Sequence, residues 1–342
     1  MRIAVISPPW APVPPLLYGG IELVVDRLAT GFQAAGHEVL LFATGDSTCD
    51  VPMQFVLPVA EGLRIGMAVP EQRHVLAAYE AITAWDADVV HDHSIIGPFH
   101  AADRYPQLPV ATTIHGPFNE ELTDLYRRLN ASNTPIIAIS NAQANSAPEV
   151  KCERVIHHGV DVADFPVGDG AGGYCLFLGR MSIDKGPHRA IAAAKEAGVP
   201  LKMAAKMREA WERTYFEDFV QPHLTDDIEY LGEVPHEEKL ELLAGATALL
   251  NPIRWNEPFG LVMIEALACG TPVLAFAEGA APEIVEQGVT GFLCEDEHAM
   301  ARDIARASSL DRGACRASVE NYFSVTRMVE EHIDLFESMV RG

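Results

Sequence analysis

Cations are what this chain is short of: 25 Lys and Arg stand against 48 Asp and Glu, a formal net charge of −23 over 342 residues. So few cations exclude the phosphate grip of a nucleic-acid binder and a polybasic hold on anionic lipid. Cysteine is sparse and scattered. Cys49, Cys152, Cys175, Cys269, Cys294 and Cys315 form no CxxC and no metal-ligand spacing, and they read as reduced thiols of a cytoplasmic protein. No uncharged apolar run reaches the roughly 18 to 20 residues that span a bilayer. The opening MRIAVIS is a short strand pattern followed by prolines, not a secretory signal. A GxxxxGK[ST] phosphate loop is also missing.

What is present is a large apolar content, 49% hydrophobic against 21% charged, enough for two cores of ordinary size. Short apolar runs alternate with helical periodicity. RIAVIS, EVLLFAT, DVVHDHS, PVATTIHG, PIIAISN and RVIHHGV read as strands, with helical patterns such as Ile21, Val24, Val25, Leu28, Ala29 and Phe32 between most of them. A second series follows: YCLFLGRM, LKMAAKM, IEYLGEV, TALLNPI, PVLAFA and GFLC. Strand and helix in alternation predict α/β architecture, with parallel sheets covered on both faces. The Gly-rich stretch Val162 to Gly173 separates the series as a flexible linker, giving domains over 1–164 and 172–323. Residues 324–342 predict an amphipathic helix, with Met328, Val329, Ile333, Phe336, Met339 and Val340 on one stripe.

Three patterns invite other functions and lose. Gly168, Gly170 and Gly173 satisfy GxGxxG, but they precede a strand, whereas the dinucleotide motif must follow one and open a helix. Asp86 and Asp88 spell D-A-D, yet they stand before the apolar pair Val89 and Val90, at the start of a strand facing solvent. His91 with His93, and His157 with His158, lack a third ligand nearby in sequence. No metal site and no cofactor are therefore expected.

The segment Asn251 to Leu274, NPIRWNEPFGLVMIEALACGTPVL, carries the most chemistry. Glu257 precedes an apolar helix pattern and Glu265 lies inside it, flanked by Val262, Met263, Ile264, Ala266, Leu267 and Ala268. A carboxylate in so apolar a helix costs several kcal/mol unless paired, about the desolvation penalty of a buried charge. Between the two lies the predicted helix start, with Pro258 near N1 and free amides from Phe259 through Gly260 to Leu261 at the positive end of the helix dipole. Such an end takes a phosphate, and Gly260 lets it approach closely. Glu257 and Glu265 on either side suit hydroxyl groups, the shape of a sugar-nucleotide site.

These residues, with Pro258, Phe259, Gly260 and the run Glu-Ala-Leu-Ala-Cys-Gly-Thr-Pro-Val, resemble the E-x7-E signature of retaining GT-B glycosyltransferases of family 4. Other landmarks follow in order. Gly19, Gly20 and Glu22 resemble GG-x-E before the first helix; Arg180 and Lys185 in FLGRMSIDKG resemble GR-x4-KG; Ser140 and Asn141 end PIIAISN; and His115 ends the strand ATTIHG. The resemblance implies two Rossmann-like domains facing across a cleft, the final helix crossing back to the first, and a nucleoside-diphosphate sugar bound by the second. It further implies that Arg180 and Lys185 meet the diphosphate in place of a metal, that His115 contacts the donor sugar, that Glu257 takes the sugar and that Glu265 takes the ribose. Gly232, Glu233 and Val234 stand where the nucleobase belongs. Transfer with retention, by front-face displacement in which the leaving phosphate takes the acceptor proton, is the implied chemistry.

Departures from the family pattern are few. Lys206 follows Ala204 and Ala205 where an AG pair is common, which makes it a further phosphate contact; Ala280 and Ala281 replace glycines and are expected to narrow the donor pocket; His158 replaces an Asn and carries no donor role. A soluble small acceptor is expected, as in family members of the avilamycin type that decorate antibiotics. Two other readings fit part of the pattern: a sugar-nucleotide epimerase or hydrolase of the same architecture, and a catalytically silent nucleotide-sugar-binding subunit.

Overall fold

The computed structural model describes every residue except Tyr18 and Gly342. It divides into two compact units, one of Met1–Gly159 together with the chain from Val325 onward, the other of Val160–Ser324.

The first unit is built on strands β1 (Arg2–Ile6), β2 (Glu38–Phe42), β3 (Met53–Gln54), β4 (Val89–Asp92), β5 (Val110–Thr113), β6 (Ile136–Ala138) and β7 (Cys152–Val155). They lie in the order β3-β2-β1-β4-β5-β6-β7, and every pair is parallel. β1 and β4 are almost wholly buried, as strands covered on both faces must be. Helices α1 (Gly20–Ala34), α2 (Ala68–Trp85), α3 (Gly97–Arg104), α4 (Glu120–Arg127) and α5 (Asn141–Ser146) connect them. The order reverses between β1 and β4, which makes the carboxyl ends of those strands the switch point where open parallel sheets bind ligands.

In the second unit β8 (Cys175–Arg180), β9 (Leu201–Lys206), β10 (Ile228–Gly232), β11 (Ala248–Asn251), β12 (Val273–Phe276) and β13 (Gly291–Cys294) lie in the order β10-β9-β8-β11-β12-β13, again all parallel. Its helices are α6 (Pro187–Ala197), α7 (Ala210–Phe219), α8 (His236–Gly245), α9 (Leu261–Ala268), α10 (Ala281–Ile284), α11 (Glu297–Ala307) and α12 (Arg312–Tyr322). The core under α6 and α11 joins Phe177, Ile191, Met203, Leu250, Phe276 and Ile304. Here the order reverses between β8 and β11.

The last helix, α13 (Val325–Arg341), belongs to the first unit and packs on α1. Phe32 of α1 meets Phe336 edge-on at 5.6 Å between ring centroids. Gly31 gives α13 room, because a Cβ there would fall 2.4 Å from Val329 Cγ2.

The Gly-rich stretch expected to be a flexible linker is instead bonded down. Gly168 N–H donates to Cys269 O at 3.0 Å, Gly172 N–H to Gly245 O at 3.0 Å, and Arg312 Nε to Gly168 O at 2.7 Å. Its glycines serve close backbone approach: a Cβ on Gly168 would lie 2.0 Å from Ala244 O. Among the described residues no helix is long and apolar enough to cross a membrane.

Candidate functional site

The second unit holds ten of the sequence-predicted residues, nine at the carboxyl ends of its strands or in the connections that follow them, and Glu265 one turn into α9. Arg180 closes β8 and Lys206 closes β9, in register as neighbours across the parallel pair. The side chains are held by carboxylates: Arg180 lies 3.6 Å from Asp184, and Lys206 lies 3.5 Å from the fully buried Glu212. Glu212 also accepts the amides of Arg208 and Glu209 at 2.6 and 2.9 Å, closing a capping box at the start of α7. Trp211 stands beside Arg180, the guanidinium carbon 5.7 Å from its ring centroid, and is half exposed.

Lys185, in the loop after β8, reaches across the switch point to Glu257, in the loop after β11. Nζ and Oε2 are 2.5 Å apart, and both side chains are mostly buried. The backbone of Glu257 is fixed as well, because Ala280 N–H donates to its carbonyl at 3.1 Å. Gly279, at φ +53°, makes this possible; a Cβ there would sit 2.3 Å from Glu257 O. Ala280 and Ala281 are both buried.

Helix α9 begins later than the sequence suggests. Its first residue is Leu261 and its N-cap is Gly260, at φ +98°, so Pro258 lies in the preceding loop and not at N1. The left-handed turn at Gly260 re-aims the chain before the helix. Phe259, expected to offer its amide, buries its ring against Phe323 at 6.2 Å and acts in the core. No side chain caps α9, and within its first turn the Met263 amide is taken by Gly260 O at 3.0 Å; a helix start without a side-chain cap is the kind of end that binds anions. Met263 through Ala268 are all buried, and Glu265 among them is 3% exposed. The partner it requires is Lys239 of α8, at 2.9 Å. Lys239 carried no local signal, being one charge in the amphipathic run HEEKLELL. Gly232 ends β10 with φ +82°; Val234 follows it, while Glu233 forks onto Arg208 at 2.7 and 3.1 Å.

Gly19, Gly20 and His115 lie in the first unit. Gly20 opens α1 and Gly19 is its N-cap. A Cβ at Gly19 would lie 2.6 Å from Pro15 and 3.1 Å from the carboxylate of Glu22. Glu22 is 6% exposed, and burial pushes its carboxyl up to about 7. His115 follows β5, and the backbone on both sides of it is clamped by Gln143, whose Nε2 donates to Ile114 O at 2.8 Å and Gly116 O at 2.7 Å. The Ser140–Asn141 landmark has a physical purpose here: Ser140 caps α5 through Gln143 N at 2.9 Å and so seats that clamp. His115 is half-buried in a stack of imidazoles. Its Nε2 lies 2.8 Å from His93 Nδ1, and its ring stacks on His158 at 5.3 Å. Burial, then the field of His332, pushes its pKa down to about 3, so it is neutral at physiological pH. Asp86 and Asp88 sit before β4; Asp86 pairs with Arg2 at 3.4 Å and Asp88 accepts the Arg2 amide at 2.7 Å.

Two Rossmann-like parallel-sheet domains, each with its polar residues at the switch point, define the GT-B class of glycosyltransferases. The model described as Glycosyltransferase Family 4 matches residues 18–164, and Glycosyl transferases group 1 matches 169–322. The chain belongs to the family 4 glycosyltransferases. It is 27% identical to the glycogen synthase of Mycobacterium tuberculosis, over 91% of this chain and 86% of that one. Among solved structures, AviGT4, a glycosyltransferase involved in avilamycin A biosynthesis, is 25% identical with a TM-score of 0.76, covering 100% of this chain and 98% of its own. HepE of Anabaena, solved in complex with UDP and glucose, shares the fold at 20% identity and a TM-score of 0.77, over 99% of this chain and 100% of its own.

Proposed function

We propose that this glycosyltransferase moves a sugar from a nucleoside-diphosphate sugar, UDP favoured, to a small soluble acceptor, with retention of anomeric configuration and without a metal. The observation that carries the reading is the Lys185–Glu257 pair, spanning the switch point beside Arg180, Lys206 and the uncapped start of α9. In transfer, the bond between the anomeric carbon and the β-phosphate oxygen breaks, and that oxygen gains negative charge. Cations and helix amides fixed beforehand meet the charge without reorganising. Arg180, Lys185 and Lys206 supply the cations, each already oriented by a carboxylate. The released phosphate oxygen takes the acceptor hydroxyl proton, and the acceptor oxygen bonds the anomeric carbon on the same face.

Glu257, held by Lys185, steadies positive charge on the sugar as the bond opens, in this reading as an electrostatic neighbour and not as a nucleophile. Glu265 accepts from the ribose hydroxyls. HepE's bound UDP supports the choice of base, and the place of AviGT4 in avilamycin A biosynthesis supports a small acceptor. The test is calorimetric titration with UDP, GDP, ADP and dTDP, with and without EDTA, followed by product analysis with the sugar nucleotide that binds. The reading expects micromolar affinity for one diphosphate, unchanged by EDTA, and an α-configured product from an α-configured donor. Binding that needs a divalent ion, or an inverted product, would overturn it.

A further inference from the structure

Six buried or half-buried histidines of the first unit, His74, His91, His93, His115, His158 and His332, lie under or beside its switch point, and hydrogen bonding fixes the proton on two of them. His332 Nδ1 lies 2.7 Å from Met328 O, and His74 Nε2 lies 2.9 Å from Ser7 O. A carbonyl only accepts, so in both rings the bonded nitrogen carries the proton. The opposite nitrogens, His332 Nε2 and His74 Nδ1, are buried without a partner and are therefore bare lone pairs. In neither ring is an N–H left unbonded, in keeping with the rarity of orphaned buried N–H groups.

The same economy decides His93. Its Nε2 is buried and unpartnered, while its Nδ1 lies 2.8 Å from His115 Nε2. A proton on Nε2 would strand a donor; on Nδ1 it makes the hydrogen bond. His93 then donates to His115 Nε2, which must be bare, so the single proton of neutral His115 resides on Nδ1. That atom has no hydrogen-bond partner among the described residues and is not one of the buried unpartnered atoms, so it reaches the surface of the unit. His93 is itself rigid. It directly follows β4 at the switch point, its amide donates to Ile6 O at 3.0 Å, and its ring packs on His91 at 4.0 Å. His91 is held in turn by Thr113 at 2.7 Å.

We infer that His93 is a positioning residue that locks His115 in the Nδ1–H tautomer, so that His115 presents a hydrogen-bond donor, and not a base, to a substrate oxygen. The substrate part of this statement rests on the transferase reading; the tautomer does not. Fixing a histidine by the bond at its other nitrogen is how imidazoles are set for one role.

Long-range 1H–15N spectra of the labelled full chain test the lock, with the His115 signals assigned by their loss in His115→Gln. The wild type should show a protonated Nδ1 and a bare Nε2 at His115. His93→Leu keeps the bulk but removes the donor and should give mixed tautomers; His93→Asn places an amide near the lost Nδ1 and should restore the single form. Steady-state kinetics should then show kcat falling about tenfold to a hundredfold in His93→Leu, with donor KM changed less than about threefold, and recovering in His93→Asn, the scale of a lost orienting bond. A wild-type His115 protonated on Nε2, or a tautomer indifferent to His93→Leu, overturns the inference, and the wild-type spectrum alone decides it if His93→Leu does not fold. Should the spectra be as expected while no sugar nucleotide yields transfer, the lock stands and the transferase reading falls.

Discussion

Glu257 and Glu265 each meet a lysine distant in sequence, Lys185 and Lys239, and the two pairs differ in what their loss would do. Replacing Glu265 by Ala puts a methyl into a helix already apolar and frees Lys239, which keeps some contact with solvent. Stability should stay near wild type, because exchanging a buried charge for an apolar group is often neutral, while nucleotide affinity falls. Lys239→Ala instead strands a buried carboxylate and should cost about 1–3 kcal/mol in urea unfolding. Glu257→Ala should lower turnover more than donor affinity, and equal losses of affinity in Glu257→Ala and Glu265→Ala would contradict the division of roles. Arg180→Ala and Lys185→Ala should each weaken diphosphate binding by about 1–3 kcal/mol, the range of charge-assisted hydrogen bonds. At this scale the carboxylates and cations of the site were legible, since their types and spacing are local. Lys239 and Gln143 were not, because each acts on a residue that only folding brings near, whereas Glu212 belongs to a local Glu-x-x-Glu capping box at the start of α7.

At the scale of the element, glycine carries most of the information that strand and helix patterns leave out. Gly279→Ala drives a Cβ into the backbone of Glu257, so the loop must move and the carboxylate with it. Turnover should fall by about a hundredfold, the price of displacing a reacting group by an ångström, and a variant with unchanged kcat would remove this support from the site. Gly31→Ala raises helix propensity by up to about 1 kcal/mol. It should nonetheless destabilise by about 1–3 kcal/mol, as overpacking does, since the new methyl meets Val329 of α13; thermal unfolding decides the sign. Most of the strand series was readable because parallel strands buried on both faces are short apolar runs; the two edge strands of the first sheet are not such runs, so β3 went unpredicted and β7 shares only Arg154 and Val155 with the expected RVIHHGV. The start of α9 was misplaced by three residues because Pro258 at N1 is good helix chemistry, and only the left-handed turn at Gly260 overrides it. The Gly-rich stretch was misread for a related reason: composition alone does not distinguish a tether from a strap whose glycines admit another backbone.

For the whole molecule, the buried titratable groups set how stability varies with pH. Burial lowers the pKa of His74 and His332 to about 4 and of His115 to about 3, and lowers His91, His93 and His158 well below 6.5. Between 6.5 and these values the unfolded chain binds protons that the folded chain refuses. Their stabilisation is complete above 6.5 and is lost as pH falls toward 4. Glu22, raised to about 7, Asp92, raised to about 6, and Asp26, also raised by burial, act in the opposite direction, since folding favours their protonated forms over part of that range. Six histidines outweigh three carboxylates. The urea midpoint should therefore drop on acidification from pH 6.5 to 4.5, with a slope steeper than one proton's worth, about 1.4 kcal/mol per pH unit. A flat profile would show that the imidazoles take up protons in the folded state.

The amino-acid sequence by itself determined the α/β class, the two strand series, the burial of the helix bearing Glu265 and the chemical types gathered at the site. These follow from periodicity and composition, which act over neighbouring residues. Tertiary structure alone decided which charges meet, that the Gly-rich stretch is packed, that α13 lies on α1, and that His115 is backed by an imidazole chain. Each of these depends on strand order and on contacts between residues far apart in the chain. Strand order is fixed by which apolar faces bury one another best, a property of the assembled sheet and not of any one segment.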